Sequence, residues 1–260
     1  IWVSSFLKRE EAEDIRGMLH DNALPFTTGS QIVSALMLGL QEAFDREKIL
    51  LLFDAASHPN EEVKVRALIS ILITLYTYRK RTQLYPQIAD RLAALAETPG
   101  FIKTIRTIIL RFILARETEK ITRKLQDEII PEMLKLSPKL SKKINLNELT
   151  PEDLTGNEMN PEWESFFSDS TLGKKMVEFG ELQQEGADVM HSTFVHLKNF
   201  PFFHELSNWL LPFTIEHSYF DDQFTPDNEA EKQMLDSMTF AAFMCNSDKY
   251  SLYFSMMQLP

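Results

Sequence analysis

The chain has 260 residues, enough to bury one or two sizeable cores, and it is 44% hydrophobic with only 8 glycines, a composition that favours helices over sheets. Its single cysteine rules out an intrachain disulfide and argues against a cysteine-based metal site, and no run approaches the roughly 18 uninterrupted apolar residues of a membrane span. The net charge of -11 is unevenly spread: residues 1–144 carry 22 Lys and Arg against 18 Asp and Glu, a balance of +4, which leaves 5 against 20 for residues 145–260, a balance of -15. Two units with different surfaces are expected from so sharp a change of sign. No basic stretch followed by an apolar one marks a leader. Both ends lie in apolar sequence, so the chain reads as an excerpt of a longer, soluble, cytoplasmic-type protein.

In chain order, the pieces between Pro, Ser, Thr, Asp and Asn punctuation repeat at helical period. A modest helix is expected over residues 10–20. The next, 30–44, sets Ile32, Val33, Leu36, Leu40 and Phe44 on one stripe. Asp45 is placed to cap a third, 48–57, whose run from Ile49 to Phe53 is apolar nearly all round and so predicts burial. His58-Pro59-Asn60 stops it, and Asn60 caps a fourth helix over 61–76, with Glu61 and Glu62 in the first turn where the helix dipole favours acids. Pro86 suits the first turn of a fifth, 86–97, and Thr98-Pro99-Gly100 forms a sharp turn. Helices over 101–116 and 117–135 complete the front half, the last kinked or ended by Pro131.

Overlaying the chain on itself exposes a repeat. A shift of 32 carries Ala35-Leu36 onto Ala67-Leu68, Leu40 onto Leu72 and Phe44 onto Tyr76; a shift of 40 carries Val65-Arg66 onto Ile105-Arg106 and Leu72 onto Phe112. Each unit reads as helix, short turn, helix, and one such pair cannot bury both its faces, so neighbours are expected to stack. The stretch 49–75, containing His58-Pro59-Asn60-Glu61-Glu62-Val63-Lys64-Val65-Arg66-Ala67-Leu68, resembles a HEAT repeat. The resemblance implies an α-solenoid of helical hairpins and gives Arg66 the part of the arginine that braces the turn; the position that usually holds Asp at that turn is His58 here. The flanking units 11–44 and 86–113 follow the pattern more loosely.

The back half is less regular. A polar connector covers residues 139–161, and one or two helices follow over 172–197 with Met176, Phe179, Leu182, Val189, Met190, Phe194 and Leu197 turned inward. An aromatic block runs from Phe200 to Phe213, and further helices are expected over 229–244 and 249–257. Gly186-Ala187-Asp188 followed by the block from Leu197 to Phe213 resembles a segment of large bacterial tetratricopeptide-repeat proteins, which implies repeats beyond residue 260; the Trp-Leu-Gly repeat consensus itself is absent.

Candidate chemistry is thin. There is no Gly-x-Ser-x-Gly and no Gly-Lys-Ser/Thr phosphate loop. Cys245, in the apolar run 241–245, reads as a small core residue, with a reactive thiol as the alternative. Asp188 and His191 have the acid-x-x-His spacing of carboxylate-bridged metal bundles, but no second such pair occurs, and His191 and His196 diverge by roughly 140° round a helix. The acid pairs Glu178 and Glu181, and Asp221 and Asp222, are expected by chance in so acidic a half. Arg116, Lys120, Arg123 and Lys124 share one helical face, and Lys135, Lys139, Lys142 and Lys143 follow. Such a stripe reads as a solvated face, a docking face for an acidic protein surface, or a nucleic-acid face; the interleaved Glu117, Glu119, Asp127 and Glu128 weaken the last. Phe200, Phe202, Phe203, Trp209 and Phe213 read first as core and second as a partly open groove for a partner's helix or an extended peptide.

The expectation is therefore an all-α chain: HEAT-like helical repeats over 1–138, a connector over 139–161, and an acidic, aromatic-rich helical region over 162–260. The expected function is a non-catalytic protein–protein interaction scaffold without cofactor or metal, able to self-associate through its basic front and acidic back. The alternative is a nucleic-acid or phosphate-binding solenoid that uses the stripe at 116–143. Candidate partner-binding residues are Arg116, Lys120, Arg123 and Lys124 with Phe200, Phe202, Phe203, Trp209 and Phe213.

Overall fold

The computed structural model describes residues 1–4, 6–21, 23–115, 198–214, 229–241 and 244–257, together with positions 118, 123 and 127. Among these residues the fold is all-α, with eight α-helices and no strand. The helices are α1 (Arg9–His20), α2 (Phe26–Glu42), α3 (Arg46–Ala55), α4 (Glu61–Thr77), α5 (Pro86–Ala96), α6 (Phe101–Ala115), α7 (Glu229–Phe240) and α8 (Asn246–Met257). Single 3-10 turns cover Thr82–Leu84, Pro201–His204 and Leu206–Leu210. The chain divides into two compact units: one takes Ile1–Ile109, Leu197–Ala241 and Cys245–Pro260, the other Leu110–His196 and Ala242–Met244. No helix among the described residues is long and apolar enough to cross a membrane.

Local chemistry accounts for the helix ends. The Asp45 carboxylate accepts from the backbone N–H of Glu47 and Lys48 at 2.8 and 3.3 Å, starting α3, and from the N–H of Leu7 at 2.7 Å, which ties down the N-terminal segment. Asn60 does the same for α4, accepting from Glu62 and Val63, while His58 Nδ1 accepts from the Asn60 N–H at 3.0 Å and closes the turn between α3 and α4. Helix α2 departs from its expected bounds at both ends. It begins at Phe26, directly after the extended Pro25, and it stops at Glu42 because Ala43 and Asp45 must be extended for Asp45 to cap α3. Phe44 thus leaves the helix and packs on Tyr78 and Tyr85, with the Arg81 guanidinium over its ring.

The main core is built from Ile32, Val33, Leu36 and Leu40 of α2, Ile49, Leu51, Leu52 and Phe53 of α3, and Val63, Ala67, Leu68 and Ile71 of α4, with Ala12, Ile15 and Leu19 of α1 at one edge and Ile88, Leu95 and Ile108 at the other. Helix α3 is buried on nearly every side, as its apolar run predicts. The positions that the 32-residue shift superposes differ in their surroundings. Leu36 and Leu68 are both buried, and Ser34 and Arg66, also 32 apart, face each other, the Arg66 guanidinium donating to Ser34 Oγ at 2.9 Å. Phe44 and Tyr76 do not correspond, because Phe44 is buried and Tyr76 is 74% exposed.

Helices α1, α3 and α5 run parallel, as do α2 and α4. Leu7 and Arg16 on the α1 side meet Asp45 and Asp54 on the α3 side, a separation of 38 residues in both cases. Asp54 meets Arg91 of α5, Gly29 and Ser34 of α2 meet Val63 and Arg66 of α4, and the Tyr78 hydroxyl donates to the Leu40 carbonyl at 2.6 Å. Contacts that advance together along both partners are possible only when the partners point the same way.

The turn between α5 and α6 depends on one glycine. Thr98-Pro99-Gly100-Phe101 is closed by Phe101 N–H donating to the Thr98 carbonyl at 3.2 Å, with Gly100 at φ +82, the arrangement of a type II turn that wants Pro second and Gly third. Gly100→Ala leaves the fold intact but costs about 1–2 kcal/mol, the penalty of a left-handed alanine; urea unfolding of the variant checks it, and an unchanged midpoint contradicts this account of the turn.

Candidate functional site

Three surfaces or clusters come into question, and the aromatic block forms the first. Pro201–His204 and Leu206–Leu210 are consecutive 3-10 turns, each started after an extended residue, so the chain winds tightly enough to direct Phe202, Phe203, Leu211 and Phe213 to one side. There they meet Leu235 and Met238 of α7 and Tyr250, Tyr253 and Phe254 of α8. Phe202 packs on Tyr250 and Phe254 with ring centroids 4.6 and 5.2 Å apart, and Phe213 on Tyr250 at 5.0 Å. Lys198 fastens this cluster to α8. Its ammonium pairs with Asp248 at 2.6 Å, bonds Ser247 Oγ at 3.1 Å and lies over the Phe203 ring.

The five aromatic candidates therefore divide. Phe202, Phe203 and Phe213 are core, the first of the two readings that the sequence allows; Phe200 is half-buried against Phe254. Trp209 is 40% exposed, its indole N–H donating to the Phe203 carbonyl at 2.8 Å, and Leu206 beside it is exposed as well. Of the basic candidates, Arg123 is an exposed helical residue, while Arg116, Lys120 and Lys124 lie outside the described residues. So do Asp188, His191, His196, Glu178, Glu181, Asp221 and Asp222. Among the described residues no group of three or more His, Cys, Asp or Glu is placed to hold a metal.

Cys245 corrects an expectation. It is exposed, outside any core: the helix expected over 229–244 ends at Phe240, and a new one begins at Asn246, directly after Cys245. Its carbonyl accepts from the Asp248 and Lys249 N–H groups at 3.0 and 3.1 Å, and its sulfur lies 3.3 Å from Ser247 Oγ. The apolar run 241–245 suggests a place in the core, but Asn246-Ser247-Asp248 is a helix-start signal, and the new helix begins there rather than at the expected 249.

The aromatic cluster and the front helices belong to one compact unit, and Arg66 is one link between them. Its guanidinium pairs with Glu62 one turn back at 2.7 Å, donates to Ser34 Oγ, and donates to the Leu210 carbonyl, 144 residues away. Glu62 in turn accepts from the Asn246 side-chain amide at 3.3 Å. Bracing its own turn is the part the HEAT resemblance gives this arginine; here His58 and Asn60 close that turn, and Arg66 reaches outward.

The second surface is α6. Phe101, Ile105 and Ile108 pack against the core, but Ile102, Ile109 and Ile113, at i, i+7 and i+11, form a stripe about 100° round the helix that is 63%, 44% and 58% exposed. Leu110 is exposed beside it. The third is a cleft across α3, lined by Arg9 and Glu13 of α1, Arg46, Glu47 and Leu50 of α3, and Gln87 and Arg91 of α5. No motif marks it in the sequence; its residues come together only because the three helices run parallel.

Tyr250 is the most constrained polar group of the aromatic cluster. Its fully buried hydroxyl lies 2.8 Å from the Pro212 carbonyl and 3.1 Å from the Thr214 carbonyl, and it accepts from the Thr214 N–H at 3.0 Å. Burial pushes the phenol well above its usual pKa. Tyr250→Phe deletes these hydrogen bonds inside the core and costs about 1–3 kcal/mol in urea unfolding near neutral pH. The raised phenol also fixes a sign: its contribution is whole below the unfolded tyrosine pKa of about 10 and declines as pH rises beyond it, because the unfolded chain then loses the proton that the folded chain keeps. Tyr250→Phe therefore flattens the alkaline fall in stability, and an unaltered slope contradicts the assignment.

Compared with known proteins, the chain matches no family model, no curated protein and no solved structure.

Proposed function

We propose that the chain is a non-catalytic protein–protein interaction scaffold, a section of a larger repeat protein in which HEAT-like hairpins stack side by side and leave long outer faces free for contact. The observation that carries this reading is the second apolar stripe of α6. A helix that already packs Phe101, Ile105 and Ile108 against the core has no use, within that packing, for three exposed isoleucines on another face. Burying each would be worth roughly 1.5–3 kcal/mol, and contiguous exposed apolar patches of this kind mark interaction sites.

The parallel course of α1, α3 and α5 and of α2 and α4 supports the stacked reading, because hairpins added one after another in the same orientation place every second helix side by side. In such an array the outer face of one hairpin is completed by the next element or by a partner. Binding then proceeds by shape and apolar burial, with no bond made or broken.

Affinity capture from the source cell's lysate, using the intact protein, tests the proposal. Ile109→Asp with Ile113→Asp is expected to remove the captured partners while leaving the far-ultraviolet circular dichroism and the urea midpoint unchanged, since both side chains are exposed. Capture of the same partners by the doubly substituted protein overturns the reading.

A further inference from the structure

The cleft over α3 opens where α1, α3 and α5 begin. Arg9 is the first residue of α1, Arg46 the first of α3, and Gln87 the second of α5. One turn further on stand Glu13, Leu50 and Arg91, each four residues beyond its partner on the same helix. The three helices thus each present an i, i+4 pair at one depth, and the volume they enclose is 420 Å³, within the few hundred Å³ typical of small-molecule sites.

The charges in this cleft are unequally satisfied. Glu13 is taken up by Arg16 at 2.7 Å, and Glu47 by both Nε and Nη2 of its neighbour Arg46. Arg91 gives one Nη2 contact to Asp54 at 3.1 Å. Arg9 makes no ion pair among the described residues. A guanidinium has five N–H donors, so Arg46 and Arg91 keep donors beyond these contacts, and Arg9 keeps all of its own. The first turns of α1 and α3 carry Glu10, Glu11, Glu47 and the capping Asp45, which offset the helix dipoles, so the guanidiniums are what the cleft offers an anion.

We propose that this cleft binds a small anion carrying two linked phosphate groups. Three guanidiniums from three separate helices suit more than one anionic group, whereas a single carboxylate is satisfied by one arginine fork. The planar fork matches phosphate oxygens. Leu50 is the one apolar residue in the lining and no aromatic ring is present, so the cleft offers nothing on which a nucleobase would stack. Recognition rests on the diphosphate itself. This site is distinct from the α6 stripe and stands or falls without it.

Isothermal titration of the intact chain with inorganic pyrophosphate, at an ionic strength of about 0.15 M, is the direct test, with citrate as a matched polycarboxylate. Pyrophosphate is expected to bind with a Kd below about 100 μM, and Arg9→Gln and Arg46→Gln each to weaken it by about tenfold or more. Arg9→Gln should leave the urea midpoint where it is, since Arg9 makes no ion pair to lose, so any weakening there is not a folding defect. No binding at about 1 mM pyrophosphate, binding indifferent to Arg9→Gln, or citrate bound as tightly as pyrophosphate each overturns the proposal.

Discussion

One carboxylate holds the front half in register. Asp54 sits in the last turn of α3 with its side chain only 8% exposed. A carboxylate in that setting must be paired, and breaking such a pair costs about 3–5 kcal/mol when a buried charge is left behind. Its partners come from the helices on either side: Arg16 of α1 at 2.7 Å through one oxygen and Arg91 of α5 at 3.1 Å through the other. The Asp54 hydrogen bond is also the main influence raising the Arg16 pKa, so that cation stays charged at every relevant pH. Sliding either neighbour by one turn, about 5.4 Å, would separate the ions. Apolar packing alone tolerates such slips far better, since leucines and isoleucines one turn apart offer much the same surface.

With α1, α3 and α5 so tied, the other features follow. The common direction of these helices brings their first turns together, and the cleft is the result. The connections between them carry α2 and α4 to a second parallel row, where Ser34 and Arg66 stand opposite one another and Arg66 has donors left for the Leu210 carbonyl. The aromatic cluster thereby acquires a polar tie to the front helices that its own apolar contacts do not supply. At the far edge, α6 uses one apolar face inward and shows a second outward.

Much of this was legible in the sequence, for definite reasons. Caps are local, so Asp45, Asn60 and Pro86 announced their helices within a residue or two. The run from Ile49 to Phe53 announced burial because no polar face interrupts it. Phe202, Phe203 and Phe213 announced a core by their area alone. What was hidden depended on partners distant in the chain. Arg16, Asp54 and Arg91 are spaced by 38 and 37 residues, but a charged triplet at that spacing carries no signal until the helices are known to be parallel. Arg66 looked like a brace for its own turn because its target, a backbone carbonyl at 210, has no signature. Cys245 was misread because apolar neighbours outweighed the helix start just after it. The cleft had no sequence signal beyond scattered arginines.

A double-mutant cycle at Asp54 tests the register most directly. Asp54→Asn, Arg16→Gln, Arg91→Gln and the two corresponding double substitutions would be compared by urea unfolding of the intact chain. If one carboxylate clamps three helices, the effects are non-additive, with a coupling of about 1 kcal/mol or more for Asp54 with Arg16 and a smaller one with the more exposed Arg91. Effects that simply add for both pairs would contradict the account, because the helices would then be held in line by apolar packing alone.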